Sequence, residues 1–459
     1  MRFALTYLAF FSLPALGQQQ QLARDIFKQL IEINTTDSVG DNTQAAEAIA
    51  ARFRAAGFPE GDIRVLGPAP KKGNLVVRLH GAGSARPILF IGHLDVVEAK
   101  RSDWSFDPFA FREQDGYFYG RGTQDMKGDD AILISTFLRL KRESFKPARD
   151  MILALTSDEE GGKSNGIDWL VKNHRDLIDA EFCVNSDGGG GDIKNGKLRF
   201  MKVQAAEKVF LSFKLEVTNA GGHSSLPEKD NAIYRLADGL SRLAKFDFPI
   251  HLFDVTRAYF EKAAPLYDGQ LGADMKAIVQ NSVVPSPNAA SVVARLSALP
   301  LYNALLRTTC VPTMLAGGHA ENALPQSATA VINCRLLPGD KQDDVESTLK
   351  KVLADSQINV SVMTPAKASK FVPMNAGVLS AVTAATAKHW PGLPVIPEMA
   401  TGASDGVYLN VAGIPTYAVS GIFVDEDDVR AHGRDERVLA KSFYDALDFI
   451  YDVATTIGR

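Results

Sequence analysis

"PILFIGHLDVV", residues 87–97, is a short apolar run that ends in a histidine and an aspartate two residues apart. Isoleucine, leucine, phenylalanine and valine in so brief a stretch read as a strand buried on both faces. Two other runs share the character, "NLVVRLH" (74–80) and "MILALTSDEE" (151–160). Between the last two, "GDDAILISTFLRLKRE" predicts a helix from about Gly128. Strand, helix and strand in this order predict an α/β domain, with a mainly parallel sheet and helices on both faces. In such sheets chemistry gathers just beyond the carboxyl ends of the strands. His93, Asp95, Glu159 and Glu160 all fall there.

The rest of the chain divides around this domain. A helical pattern covers about Leu22–Ile33, and "TQAAEAIAARFRAAGF" predicts a second helix with Thr43 as N-cap and Gly57 as stop. In the middle, "VFLSFKLEVTNA" (209–220) alternates and "NAIYRLADGLSRLAK" is helical. "SATAVINCRLLPG" (327–339), "QDDVESTLKKVLAD" and "INVSVMT" then read as strand, helix and strand. That is close to a β-α-β-β-α-β order, an antiparallel sheet with two helices on one face. It is interrupted between Asp247 and Val311 by a segment of mixed helical and proline-rich character. The expected organisation is a catalytic domain of residues 18–206 and 367–459, with a ferredoxin-like α+β domain, 207–366, inserted in it. The extra segment is 247–311.

Composition excludes several functions. With 50 Lys+Arg against 54 Asp+Glu the net charge is −4, so there is no overall basic field for nucleic acid or acidic membranes, which leaves only a local patch open. The N-terminus has one cation, Arg2, an apolar stretch from Phe3 to Leu13, then Pro14 and a small-x-small site at Ala15-Leu16-Gly17. This predicts a cleavable signal peptide, 1–17, and a secreted or periplasmic protein. The apolar stretch is well short of the roughly 20 residues of a membrane span. Cys183, Cys310 and Cys334 are odd in number and lack CxxC spacing. They read as buried small apolar residues, with at most one disulfide among them.

Four further motifs carry candidate chemistry. Asp95, two residues after His93, lies on the same side and could accept the imidazole's second N–H, as the carboxylate partner of a metal-binding histidine does. "YGRGTQDMKGDDA" sets Asp125 among glycines before a helix, where alone it would read as a cap. "TSDEEGG" offers Glu159 and Glu160, "VNSDGGGG" offers Asp187, and "VRAHGRDERV" places His432 in a loop near the C-terminus. Each has an ordinary structural reading by itself. Two histidines and several carboxylates without thiolates, in one α/β domain, suit a hydrolytic zinc, cobalt or manganese site.

The ordered set "GHLDVV", "GRGTQDMKG", "TSDEEGG", "NSDGGGG", "GGHSS", "NALPQSATAVINCRLLPG", "TGASDG" and "HGRDE" resembles the M20 family of metallopeptidases over nearly the whole chain. That family includes glutamate carboxypeptidases, aminoacylases, carboxypeptidase S and succinyl-diaminopimelate desuccinylase. The resemblance implies two divalent ions, zinc first, with cobalt or manganese as alternatives. Asp125 would bridge them; His93 and Asp187 would complete one site, Glu160 and His432 the other. Glu159 would ligate neither ion and would act as general base on the bridging water. His223 would donate to the oxyanion, reaching across a homodimer formed through the inserted domain. Arg335 would hold a substrate carboxylate, and Asn322, Gly402 and Ser404 would line the substrate site. The expected reaction is cleavage of an amide next to a free carboxylate, by a carboxypeptidase or dipeptidase acting on a peptide. The alternative is an N-acyl-amino-acid amidohydrolase. A non-catalytic binding module should lack a ligand or the base, and all six positions are filled here. The long 247–311 segment departs from the compact members of the family and leaves the preferred side chain open.

Overall fold

The computed structural model describes residues 15–83, 85–161, 163–281, 288–367 and 372–459. Most of the expected signal peptide therefore lies outside the described residues. The fold is mixed α/β, with mainly parallel pairing in its large sheet and separate antiparallel sheets. The chain forms two compact units: the described part of Met1–Ala180 with Gly190–Leu198 and Ser420–Arg459, and Glu181–Gly189 with Arg199–Val419.

In the first unit the three apolar runs form the strands Asn74–Leu79, Ala85–His93 and Arg149–Thr156. Ala85–His93 pairs parallel to Arg149–Thr156, in a register that sets His93 beside Thr156. Asn74–Leu79 pairs antiparallel on the other side of Arg149–Thr156. The helix Lys127–Arg142 packs on this sheet through an edge-to-face contact of Phe137 with Phe90, ring centroids 5.5 Å apart. Both rings are buried, and a side chain of this kind contributes about 1.5–3 kcal/mol when fully removed from water. The first described helix, Ala15–Glu32, begins earlier than its apolar pattern. The helix Ala440–Ile457 stacks Phe443 on its Phe27, 4.9 Å between centroids.

One cap is corrected. The helix Asn42–Ala55 is capped by Asp41, whose carboxylate accepts the Gln44 N–H at 2.9 Å. Thr43 instead donates its hydroxyl to the Pro70 carbonyl, 2.6 Å away, and accepts the Gly73 N–H.

In the second unit the strand that ends at Glu207 runs parallel to Val395–Ala400 from Met201 onward, and Phe182–Asn185 runs parallel to Thr416–Ala418. The four strands Val209–Thr218, Thr309–Gly317, Ser327–Leu336 and Asn359–Thr364 make a separate antiparallel sheet. With the helices Ala232–Leu243 and Gln342–Leu353 they complete the β-α-β-β-α-β order. Phe213, Leu215, Ile332, Leu236 and Leu349 lie in its core. The extra segment supplies four helices among the described residues, Asp254–Ala263, Gly269–Asn281, Ala289–Ser297 and Pro300–Leu306.

The single disulfide that three cysteines allow does form. Cys310 and Cys334 face each other across neighbouring strands and form a disulfide, with Cα atoms 4.1 Å apart. Only strand register brings them together, so their spacing gave no sign of it. Cys183 is buried, as expected.

Candidate metal centre

Parallel pairing ends the strands Ala85–His93 and Arg149–Thr156 side by side, and their loops leave together. The Leu94 N–H donates to the Thr156 carbonyl at 2.7 Å. Beyond it the Asp95 carboxylate accepts the backbone N–H groups of both Glu159 (3.1 Å) and Glu160 (2.9 Å). That is not the partner expected for Asp95. His93 Nδ1 bonds instead to the Asp95 backbone carbonyl at 3.0 Å, and the nearest Asp95 carboxylate oxygen is 3.8 Å away. A carbonyl only accepts, so Nδ1 carries the proton. In the neutral ring the Nε2 lone pair then faces the carboxylates.

Nε2 of His93 lies 3.1 Å from Asp125 Oδ1, yet it is buried and has no hydrogen-bond partner among the described residues. His93, Asp125 and Glu160 each offer a ligand atom within 4.8 Å of the others. On the far side of Asp125, His432 Nε2 is 3.1 Å from Oδ2 and 2.9 Å from Glu160 Oε1. Asp125 thus stands between two imidazoles with one oxygen toward each. Asp158 and His432 take left-handed backbone, φ 59° and 62°, rare outside glycine. Asp158 is held by an ion pair to Lys72, which also reaches Asp37 at 2.6 Å.

The electrostatics fit a cation. Burial alone would lower the His93 pKa, but Asp125, Asp95 and Glu159 hold it well above the usual value. Hydrogen bonds to Asp125 and Glu160 push His432 up to about 10. Burial would raise Asp125, and the two histidines overcome that and hold it far below the carboxylate range. Carboxylates that keep two imidazoles charged form a strongly negative pocket, and oxygen and imidazole donors suit zinc, cobalt or manganese. Gly92 beside the site admits no side chain, since a Cβ there would lie 2.1 Å from Asp130 Oδ1.

The remaining candidates belong to the second unit. Asp187 follows the strand Phe182–Asn185 and gives its N–H to Asn185 Oδ1 at 2.9 Å. His223 is exposed on the two-residue strand Gly222–His223, which pairs with Ala323–Leu324. Its Nδ1 accepts the Ser225 N–H at 3.2 Å, leaving Nε2 as the donor. Asn322 is exposed close by, and its carbonyl accepts the Ser224 N–H. Arg335 is part-buried with its guanidinium 4.8 Å from the Phe210 ring centroid, and burial lowers its pKa. Gly402 is exposed. Ser404, expected at the substrate, is buried; its N–H (2.9 Å) and hydroxyl (2.8 Å) both go to Glu207 Oε2. Its hydroxyl proton is therefore committed to Glu207 rather than turned to solvent. Glu207 went unnoticed in the sequence, where nothing local marks a partner 197 residues away.

A sequence profile described as Peptidase family M20/M25/M40 matches residues 89–456, a span that contains every candidate ligand. The chain belongs to this family. As an M20 protein it is a hydrolase. It is 29% identical over 388 residues to "Probable carboxypeptidase S-like 2" of Dictyostelium discoideum, covering 80% of this chain and 71% of the relative. It is 26% identical over 378 residues to the human "N-fatty-acyl-amino acid synthase/hydrolase PM20D1", covering 81% and 74%. In fold it is similar to the M20 family metallo-carboxypeptidase Sso-CP2 from Sulfolobus solfataricus, with a TM-score of 0.72 at 18% identity over 95% and 99% of the two chains.

Proposed function

We propose that this M20 hydrolase is an exported di-metal enzyme that cleaves an amide bond adjacent to a free carboxylate, as a carboxypeptidase or dipeptidase. The observation that carries the reading is the placement of Asp125 between His93 and His432, with Glu160 completing the cluster. His93, Asp125, Glu160 and His432 would hold the ions, with Asp187 assigned by its motif. Zinc is the first choice. Two such ions supply a polarised carbonyl and an acidified water.

Glu159 is fixed through its backbone by Asp95. In this reading it takes the proton of the attacking water and delivers it to the leaving amine. His223 supports the oxyanion through Nε2–H. Arg335 binds the substrate carboxylate with its planar fork. The disulfide Cys310–Cys334 supports export, since such bonds persist in oxidising compartments. Exposed Val311, Met314, Leu315, Val362 and Met363, on the outer strands of the four-stranded sheet, support a homodimer through that sheet.

A second reading, hydrolysis of N-acyl amino acids, is favoured by the relatives named N-fatty-acyl-amino acid synthase/hydrolase. Both readings share metals, base and carboxylate. Turnover of matched dipeptides and N-acyl amino acids, each against its C-terminal amide, separates them, with Glu159→Gln as the blank. Preference for the free acids supports the function, and the better pair chooses the class. Turnover by the Glu159→Gln protein equal to that of the parent would sink the mechanism.

A further inference from the structure

The loops that carry Asp125 and His432 meet along a hydrogen-bonded seam. Glu436 is wholly buried. Its carboxylate accepts Arg121 Nη1 at 2.6 Å and the backbone N–H groups of Gly122 (3.0 Å), Gln124 (2.7 Å) and Asp125 (3.1 Å). Gln124 reaches the opposite way. Its Oε1 accepts the N–H groups of Arg430 and Ala431, both at 2.8 Å, and its Nε2 donates to the Arg437 carbonyl at 2.8 Å. One side chain from each loop thus organises the backbone of the other.

The two grips end on different ligands. Glu436 binds the N–H of Asp125 itself, so it fixes the peptide plane from which that carboxylate projects. Gln124 binds the N–H of Ala431, the residue before His432, whose left-handed φ of 62° needs such support. Both ends of the Gln124 amide are engaged, so its orientation is determined by donors on one side and an acceptor on the other.

We propose that Glu436 and Gln124 are positioning residues with separable effects: Glu436 aims Asp125, and Gln124 aims His432. The inference rests on the reading that these two residues bind metal. Asp125 contacts both His93 and His432, so misaiming it weakens both ions. Among the described residues the His432 imidazole pairs with Asp125 and Glu160 and not with His93, so misaiming it weakens one ion. Partners that orient ligands in this way change metal affinity by roughly 10–100-fold when removed.

The test is a titration of the full chain, stripped of metal, with chelator-buffered Co²⁺ followed by visible absorption. Thermal melting confirms that each variant is folded. In Gln124→Ala one Co²⁺ should bind as in the parent and the other about tenfold or more weakly. In Glu436→Gln both should weaken, because the amide nitrogen would face Arg121 or a backbone N–H. If that variant does not fold, Glu436→Asp keeps the charge beside Arg121 and draws it back from the N–H groups, and it too should weaken both ions. Unchanged affinities in Gln124→Ala, or equal loss at both sites, would overturn the separation. Fewer than two Co²⁺ bound by the parent would instead sink the di-metal reading beneath it.

Discussion

Replacing Glu207 by Gln is expected to leave stability nearly unchanged at acid pH and to raise it above neutrality. Glu207 is buried, and its Oε1 has no hydrogen-bond partner among the described residues. Burial, aided by the charges of Asp187 and Asp405, pushes its pKa from 4.5 up to about 8 against the two bonds from Ser404. Between those values the folded chain holds a proton that the unfolded chain has released. The folded state therefore binds more protons, and stability falls as pH rises from about 4.5 to about 8. At about 1.4 kcal/mol per unit, the shift corresponds to about 5 kcal/mol lost across the window. Glutamine keeps an oxygen for Ser404 and cannot ionise, so it escapes that loss.

The assay is thermal unfolding of the two proteins, free of metal, at steps from pH 5 to pH 9. The quantity of interest is the difference in Tm. For a cooperative unit of about half this chain, about 5 kcal/mol corresponds to roughly 10 °C. The gap should be near zero at pH 5, open through neutrality and level off above pH 8. A gap that does not change with pH would refute the reasoning, because a purely steric effect of the substitution has no reason to titrate.

Other expectations follow from the same geometry. Reducing Cys310–Cys334, which closes a loop of 24 residues, should cost about 3.5 kcal/mol; a Tm insensitive to dithiothreitol, or three reactive thiols in the untreated unfolded chain, would contradict the pairing. Arg335→Lys keeps charge and loses the fork, so KM for free-acid substrates should rise roughly tenfold or more with kcat little changed; equal KM in parent and variant would remove Arg335 from the carboxylate. Metal uptake at neutral pH should release protons, because the metal-free site keeps His93 and His432 charged; calorimetry in buffers of different ionisation enthalpy measures this, and buffer-independent heats would contradict it.

What the sequence revealed, and what it hid, divides by the range of the interaction. The strands 74–79, 85–93 and 149–156 were legible because burial on both faces leaves an uninterrupted apolar run. The loops that carry the candidate ligands were legible because they adjoin strand ends. The N-cap shifted from Thr43 to Asp41 because both residue types cap well, and the choice depends on Pro70 and Gly73, which approach from another segment. The strand Thr309–Gly317 was hidden at the rim of the extra segment because, as an edge strand exposed along most of its length, it has no apolar alternation to show. The motif of Ser404 points to the substrate site by resemblance alone, while its bond to Glu207 can be found only in three dimensions.

In the proposed reading, Asp95 is what holds two adjacent glutamates to different tasks. An aspartate two residues from a histidine suggests a carboxylate–imidazole pair, yet the backbone carbonyl of Asp95 does that work. The carboxylate is left to bind the N–H groups of Glu159 and Glu160 together. Bonds to two consecutive N–H groups, in a turn preceded by left-handed Asp158, fix the backbone from which both glutamates project. Glu160 then meets Asp125 and His432, and Glu159, its neighbour, is anchored on the same turn. In the proposed reading, ligand and base are thus fixed by one carboxylate that itself needs to touch neither ion. Asp95→Asn tests this: its amide nitrogen would confront one of the two N–H donors, so both metal affinity and turnover should fall. If only one of them falls, Glu159 and Glu160 are positioned independently.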